Sequence, residues 1–588
     1  MTLPQRSLSA ATALVIYAVL AVVLTWPLAA RLGEICPAGG NDLWQTWWNF
    51  EWWKTALVER GQSPYTTDLV YQPGEVSLAF HTHSEANVIG TFPVLLALGM
   101  PAALNVATLL GFVLAGWGGF LLARELVGRA GPALLSGIIF AWFPQHVDQS
   151  LEHLNLASYW GMPFFLLYLV RLARAGGTRN VALTGVFFAL TSLLSWHNGL
   201  LVLLLGAGVF AFEAVRARRL PRAIAEAAVS AAIALAIAGP FLWPMVREIL
   251  AGETYWMKPR VDKGIDLAAF VLPHEGHPLW GGILEGARES LRPRYESAGS
   301  TGYVGIVAIA LALCGIARTW PRKRAAFWTA ALLLHLALSA GDTLVVLGRD
   351  TGVPMPSALL GSVPVLSTVR VANRWLVPAM LVVSVLAGLG ARALTVRLGG
   401  RARAGAIAGL AALLLLDYLW VPYPTRHPPR PAYAEHVAKL PRAILLDIPG
   451  GHRARAAEDM YLQTLHDQPI TGGYTSCTPP WMEDRVARLP FLRLVFERAP
   501  PVGAIDIEAE LRRAFAAVPV GIVVLHLDRT VEALERAARE EEPSGGGRLH
   551  NPARGIPART LLAIRAALHR VWGEPVYANA TAEVYRKP

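Results

Sequence analysis

Apolar residues recur in long, almost charge-free runs over the first 422 positions. A helix that crosses a bilayer needs about 17–25 such residues. The runs 11–30, 102–123, 128–145, 154–171, 180–197, 198–215, 225–246, 301–318, 325–341, 373–391 and 404–422 meet or approach that length. They predict a polytopic α-helical membrane protein with roughly eleven transmembrane helices. The run 87–100 is shorter and holds Gly90 and Pro93. It reads as a re-entrant or interfacial segment, or as half of a broken span. Arg6 precedes the first run and no small-residue cleavage site follows it, so that run is read as a retained span and not a signal peptide.

The pattern changes after residue 422. Residues 443–449 and 521–527 are short apolar runs bounded by Pro, Gly and Asp, which predicts strands. Residues 530–541 and 558–571 have helical composition, and 575–585 reads as a closing hairpin. The expected division is a transmembrane domain over 1–422 and a soluble α/β domain over 423–588. Outer loops are expected at 31–101, 145–153, 247–300 and 342–372.

Charge orients this arrangement. Only 16% of residues are charged, against about 25% in soluble domains. The net charge of +11 would suit nucleic acid, but the arginines sit in short clusters between apolar runs. With the N-terminus cytoplasmic, the loops 124–131, 171–180, 216–224, 318–324 and 392–403 collect nearly every basic cluster on the inside, as cytoplasmic loops do. The first outer loop is acidic. This places the chain in the plasma (inner) membrane with its C-terminal domain periplasmic, and it excludes a nucleic-acid partner. Three cysteines exclude a disulfide framework.

The outer loops hold the candidate chemistry. Residues 39–53 read Gly-Gly-Asn-Asp-Leu-Trp-Gln-Thr-Trp-Trp-Asn-Phe-Glu-Trp-Trp, with Trp44, Trp47, Trp48 and Trp52 on one helical face. Tryptophan favours the headgroup layer, so a helix lying in the interface is expected. Asp42 stands at its start, as a helix cap, as a reactive carboxylate, or as both. His81, His83 and Glu85 follow, and 145–153 supplies His146, Asp148, Glu152 and His153. Imidazole with carboxylate oxygen suits a divalent metal such as Mn, Mg or Zn. A solvated polar loop accounts for the same residues. His197, at the outer end of the fifth run, could join that cavity. Arg370 and Arg374 share a helical face at the entrance to the tenth run. They suit a lipid-linked phosphate or ordinary headgroup contact. Gly450 and Gly451 after a strand are explained by a turn.

One span, a long outer loop with an early Asp and an aromatic helix, a short acidic loop after the third span, and a soluble outer domain together resemble the GT-C class of membrane glycosyltransferases. That class includes the protein O-mannosyltransferases and the oligosaccharyltransferase catalytic subunit. The chain is most similar to bacterial GT-C-like proteins with a C-terminal periplasmic domain. The segments 61–68 with 71–74, 369–375 and 467–474 carry that similarity. The resemblance implies a polyprenyl-phosphate sugar as donor and a glycan, lipid or protein acceptor. It implies Asp42 as the group that deprotonates or orients the acceptor. Oligosaccharyltransferases carry an Asp-x-Glu-type motif that helps to bind metal, whereas this chain has His146-x-Asp148, which leaves metal dependence open. A non-catalytic scaffold, or a transporter or lipid flippase, would be the rival readings. Transporters usually show internal repeats, and none is visible here.

Overall fold

The computed structural model describes residues 8–253, 264–291, 302–318, 322–360, 363, 366, 368–450, 453–497, 506–530 and 556–588. A helix lies on each of the eleven predicted apolar runs. Among the described residues five helices are long and apolar enough to cross a membrane: Ala102–Val127, Leu154–Ala175, Trp196–Arg216, Leu220–Leu250 and Ala372–Thr395. Local chemistry sets the ends. Ser9 caps the first helix by accepting the Thr12 N–H at 3.0 Å, and Gly128 ends Ala102–Val127 in the left-handed conformation that C-caps favour. Helix Glu85–Leu98 spans 14 residues, about 21 Å at 1.5 Å each, too short to cross a core of about 30 Å.

Helix Leu376–Thr395 is buried along nearly its whole length and forms the central pillar. Its closest neighbour is Ile306–Arg318. A side chain at Gly390 would strike the Leu311 carbonyl, and one at Gly315 the Leu386 carbonyl. Small residues of this kind let helix backbones approach where lipid offers no hydrophobic drive. Helix Leu220–Leu250 lies at the periphery with most of its surface exposed. At one end of the bundle, basic loops meet on a buried acid: Glu213 takes Arg174 at 2.9 Å, Arg216 at 3.4 Å and Arg324 at 3.7 Å.

The opposite end carries the C-terminal segment. A two-residue strand pair joins Cys36 and Pro37 to Arg426 and Thr425, so the chain leaving the last bundle helix returns to the first long loop. Beyond it, strand Ile444–Ile448 runs parallel to Val520–His526, followed by antiparallel Ala582–Arg586 and Tyr577–Ala578. Helices Ala432–Ala438, Arg453–His466 and Ala558–Trp572 accompany the sheet. The helix expected at 530–541 lies outside the described residues from 531 onward, as does Gly451. The three cysteines are free.

The tryptophan helix, Asn41–Lys54, departs from expectation. Its tryptophans are buried in protein and do not sit at a lipid interface. Trp44 packs on Tyr461 with ring centroids 4.4 Å apart. The Trp48 indole donates to Gln463 Oε1 at 2.9 Å, Trp52 to the Pro64 carbonyl at 2.9 Å, and Trp53 to His83 Nδ1 at 3.0 Å. The buried indole N–H groups of Trp48, Trp52 and Trp53 each have a protein acceptor, which removes their reason to seek headgroups. The helix is thus the joint on which Arg453–His466 sits. Replacing Trp48 with Ala should destabilise the protein by about 3–5 kcal/mol in detergent melts and expose the C-terminal segment to protease. Trp243→Ala, at a side chain 59% exposed, should do neither.

Candidate active site

The tryptophan helix begins where a second short helix, Pro144–Glu152, ends. Gly40 is the N-cap of the first, and its N–H is satisfied by Glu152 Oε2 at 2.7 Å. A Cβ at Gly40 would collide with that carboxylate. Asp42 is therefore not the cap; it stands in the first turn, where the helix dipole favours negative charge. His153 closes the second helix, and its Nε2 meets Asp42 Oδ2 at 2.5 Å.

Burial alone would raise the Asp42 pKa. His153, a hydrogen bond from the Tyr474 side chain and the charge of Arg374 outweigh it and hold the carboxyl below its ordinary range. Burial would likewise lower His153, but Asp42, Glu152 and Asp148 raise it above the usual imidazole value. The two groups form a carboxylate–imidazolium pair. Arg374 acts on Asp42 and on Tyr159, and Arg370 and Arg374 both act on His197, whose Nε2 also meets the Thr368 carbonyl at 3.2 Å. Asp42, Asp148, Glu152, His153, His197, Arg370 and Arg374 therefore occupy one electrostatic neighbourhood.

Other candidates lie elsewhere. His146 turns inward among Phe112, Phe143 and Tyr159, and burial pushes it down to about 4. His83 accepts from Trp53, its Nε2 meets the Leu78 carbonyl at 2.9 Å, and burial holds it near 4. Glu85 accepts from the Tyr65 hydroxyl at 3.1 Å. His81 lies between these groups: the Ser476 N–H points at its Nδ1, its Nε2 has no hydrogen-bond partner, and it feels the charge of Asp42.

The loop donors have the chemistry of a divalent-metal site, and His153 Nδ1 is buried without a hydrogen-bond partner. They do not form a coordination sphere as they stand. Among the described residues, the one set of three that brings ligand atoms within 4.8 Å of each other is Asp447, Asp459 and His526, in the C-terminal segment. There His526 Nε2 meets Asp447 at 2.8 Å and Arg529 donates to Asp459 at 2.9 Å. Burial raises both carboxyls, and Arg529 already supplies a counter-charge.

Sequence reasoning missed Tyr474, Tyr159 and Arg426. Arg426 lies over the Trp44 ring, 4.4 Å from its centroid, and its charge couples to Glu152. Tyr474 belongs to the segment 467–474, singled out only for similarity to other proteins. Nothing local marks Tyr474 or Arg426, because each reaches the site from a distant element, and Tyr159 is hidden at the start of an apolar run.

Comparison with known proteins agrees with this architecture. The arabinofuranosyltransferase AftD from Mycobacteria superposes with a TM-score of 0.53 at 16% identity, covering 99% of this chain and 42% of that one. An Archaeoglobus fulgidus oligosaccharyltransferase gives 0.48 at 14% identity, covering 97% and 79%. ArnT from Cupriavidus metallidurans, bound to undecaprenyl phosphate, gives 0.42 at 14% identity, covering 98% of each chain. The fold resembles that of the GT-C glycosyltransferases. No curated protein matches the sequence. Residues 102–418 match a family described as a domain of unknown function, DUF6311. That match spans more than half of the 588 residues, and the chain belongs to the DUF6311 family.

Proposed function

We propose that this protein is a membrane glycosyltransferase that moves a sugar from a polyprenyl-phosphate donor to a cell-envelope acceptor on the outer face. In this reading all eleven apolar helices cross the membrane, the N-terminus is cytoplasmic, and residues 423–588 form a periplasmic domain. The observation that carries the reading is Asp42, held ionised against His153 at the non-basic end of the bundle, with Arg374 acting on it.

The chemistry follows from that geometry. The acceptor hydroxyl loses its proton to the Asp42 carboxylate as its oxygen bonds to the anomeric carbon. The bond from that carbon to the phosphate oxygen breaks, and the lipid phosphate leaves against the guanidinium groups of Arg370 and Arg374. His153 fixes the carboxylate and keeps it charged. A divalent metal held by Asp148 or Glu152 would supply further charge, but no step requires it, and His153 as an imidazolium would not ligate it.

Asp42→Asn keeps the side-chain shape and removes the charge. It should slow sugar transfer from synthetic undecaprenyl-phosphate sugars by about 10²–10⁴-fold while leaving donor binding intact. Full transfer by that variant would remove Asp42 as the base and make Asp148 the next candidate. Arg370→Ala or Arg374→Ala should weaken undecaprenyl-phosphate binding by about 1.5–3 kcal/mol in nanodisc titrations. Unchanged affinity in both removes them from the donor site.

The pair also predicts a pH dependence of stability. The contribution of Asp42, whose pKa is lowered, is complete above the ordinary carboxylate value and is lost as pH falls through the lower folded value. That of His153, whose pKa is raised, is complete below the ordinary imidazole value and is lost as pH rises through the higher folded value. Their joint stabilisation is therefore full between about pH 4 and 6.5. The melting-temperature difference between wild type and His153→Asn should peak in that window, and a pH-independent difference would contradict the ion pair.

A further inference from the structure

Arg370 and Arg374 stand on a short turn that two other helices hold by its backbone. Thr368 lies two residues before the first arginine, and its carbonyl meets His197 Nε2 at 3.2 Å. A carbonyl oxygen can only accept, so that ring nitrogen carries the proton. Asn373 lies one residue before the second arginine, and its carbonyl accepts from Gln145 Nε2 at 3.1 Å. Gln145 and Asn373 are both buried. Gln145 Oε1 has no hydrogen-bond partner, so among the described residues this side chain bonds to the arginine turn alone. The turn is also closed on itself, with the Arg370 N–H on the Thr368 carbonyl at 2.9 Å and the Arg374 N–H on the Val371 carbonyl at 3.3 Å. Trp375 follows it, buried, with the His335 ring 6.1 Å away.

We propose that Gln145 and His197 are positioning residues that fix the Arg370–Arg374 turn in the shape that receives a lipid-linked phosphate. The role rests on the reading of these arginines as the donor-phosphate site. Ordering a loop and its long side chains costs free energy on binding, and a turn fixed beforehand lowers that cost. Gln145 also ties the turn to the base. It stands in the first turn of helix Pro144–Glu152, which ends at His153, so one rigid element spaces the arginine turn from the Asp42–His153 pair.

The test uses the full-length protein in nanodiscs, titrated with undecaprenyl phosphate. Gln145→Met and His197→Leu each remove one donor to the turn and should raise Kd about three- to tenfold. His197→Gln places an amide N–H near the lost ring N–H and should restore most of the affinity. In a background that already carries Arg370→Ala and Arg374→Ala, Gln145→Met and His197→Leu should have no further effect, because the turn then holds no arginine to place. A loss that persists in full in that background, or that His197→Gln fails to restore, overturns the proposal. Should Gln145→Met not fold, His197→Leu carries the test, since His197 is only half-buried. The arginine variants separate the two levels. Unchanged affinity in Arg370→Ala and Arg374→Ala removes the donor-site reading, and the positioning role with it. Weakened arginine variants beside a folded His197→Leu protein that binds as wild type remove the positioning role alone.

Discussion

A carboxylate and an imidazole 2.5 Å apart, each at the end of a short helix, decide how this end of the molecule is built. Both side chains are only partly buried, and drawing such charges out of water together succeeds where both are fixed and their remaining hydrogen bonds are met. Glu152, reaching the N–H of Gly40, locks the end of one helix to the start of the other. Arg374 adds a positive field from the turn that enters the central pillar, and Tyr474 adds a hydroxyl from the C-terminal segment. Three separate parts of the chain therefore converge on one carboxylate.

The same arrangement explains the five buried tryptophans. A helix that must hold Asp42 at a set depth needs support on every side, and indoles supply large rigid surfaces with one N–H each. Trp48 and Trp44 bind it to Arg453–His466, while Trp52 and Trp53 bind it to its own loop. The apolar cluster that results runs without a break from the first long loop into the C-terminal sheet. The C-terminal segment is in this sense a wall of the site and not an appendage.

How much of this could be read in the sequence depended on the range of the signal. The apolar runs and the strands at 443–449 and 521–527 are local patterns, and helices and strands lie on them. Asp42 and His153 stood out because each is a polar residue in a loop between apolar runs. That they touch is a tertiary fact with no local trace. The tryptophan helix misled because a tryptophan face suits both a headgroup layer and a protein joint, and only the partners Tyr461 and Gln463 decide between them. His146 misled for a related reason. Its spacing to Asp148 resembles that of a ligand pair, but on helix Pro144–Glu152 the two residues point in different directions, and His146 enters the aromatic core. Tyr474 lies more than 400 residues from Asp42 along the chain, and no periodicity connects them.

The central claim is that the Asp42–His153 pair faces a lipid-linked phosphate held by Arg370 and Arg374, at the entrance to the central pillar. An experimental structure of the protein in a nanodisc with undecaprenyl phosphate tests it most directly. The account predicts phosphate density in hydrogen-bond contact with Arg374 or Arg370, in the same cavity as Asp42. Phosphate density at the basic end of the bundle, beside Arg174 and Arg324, would contradict it.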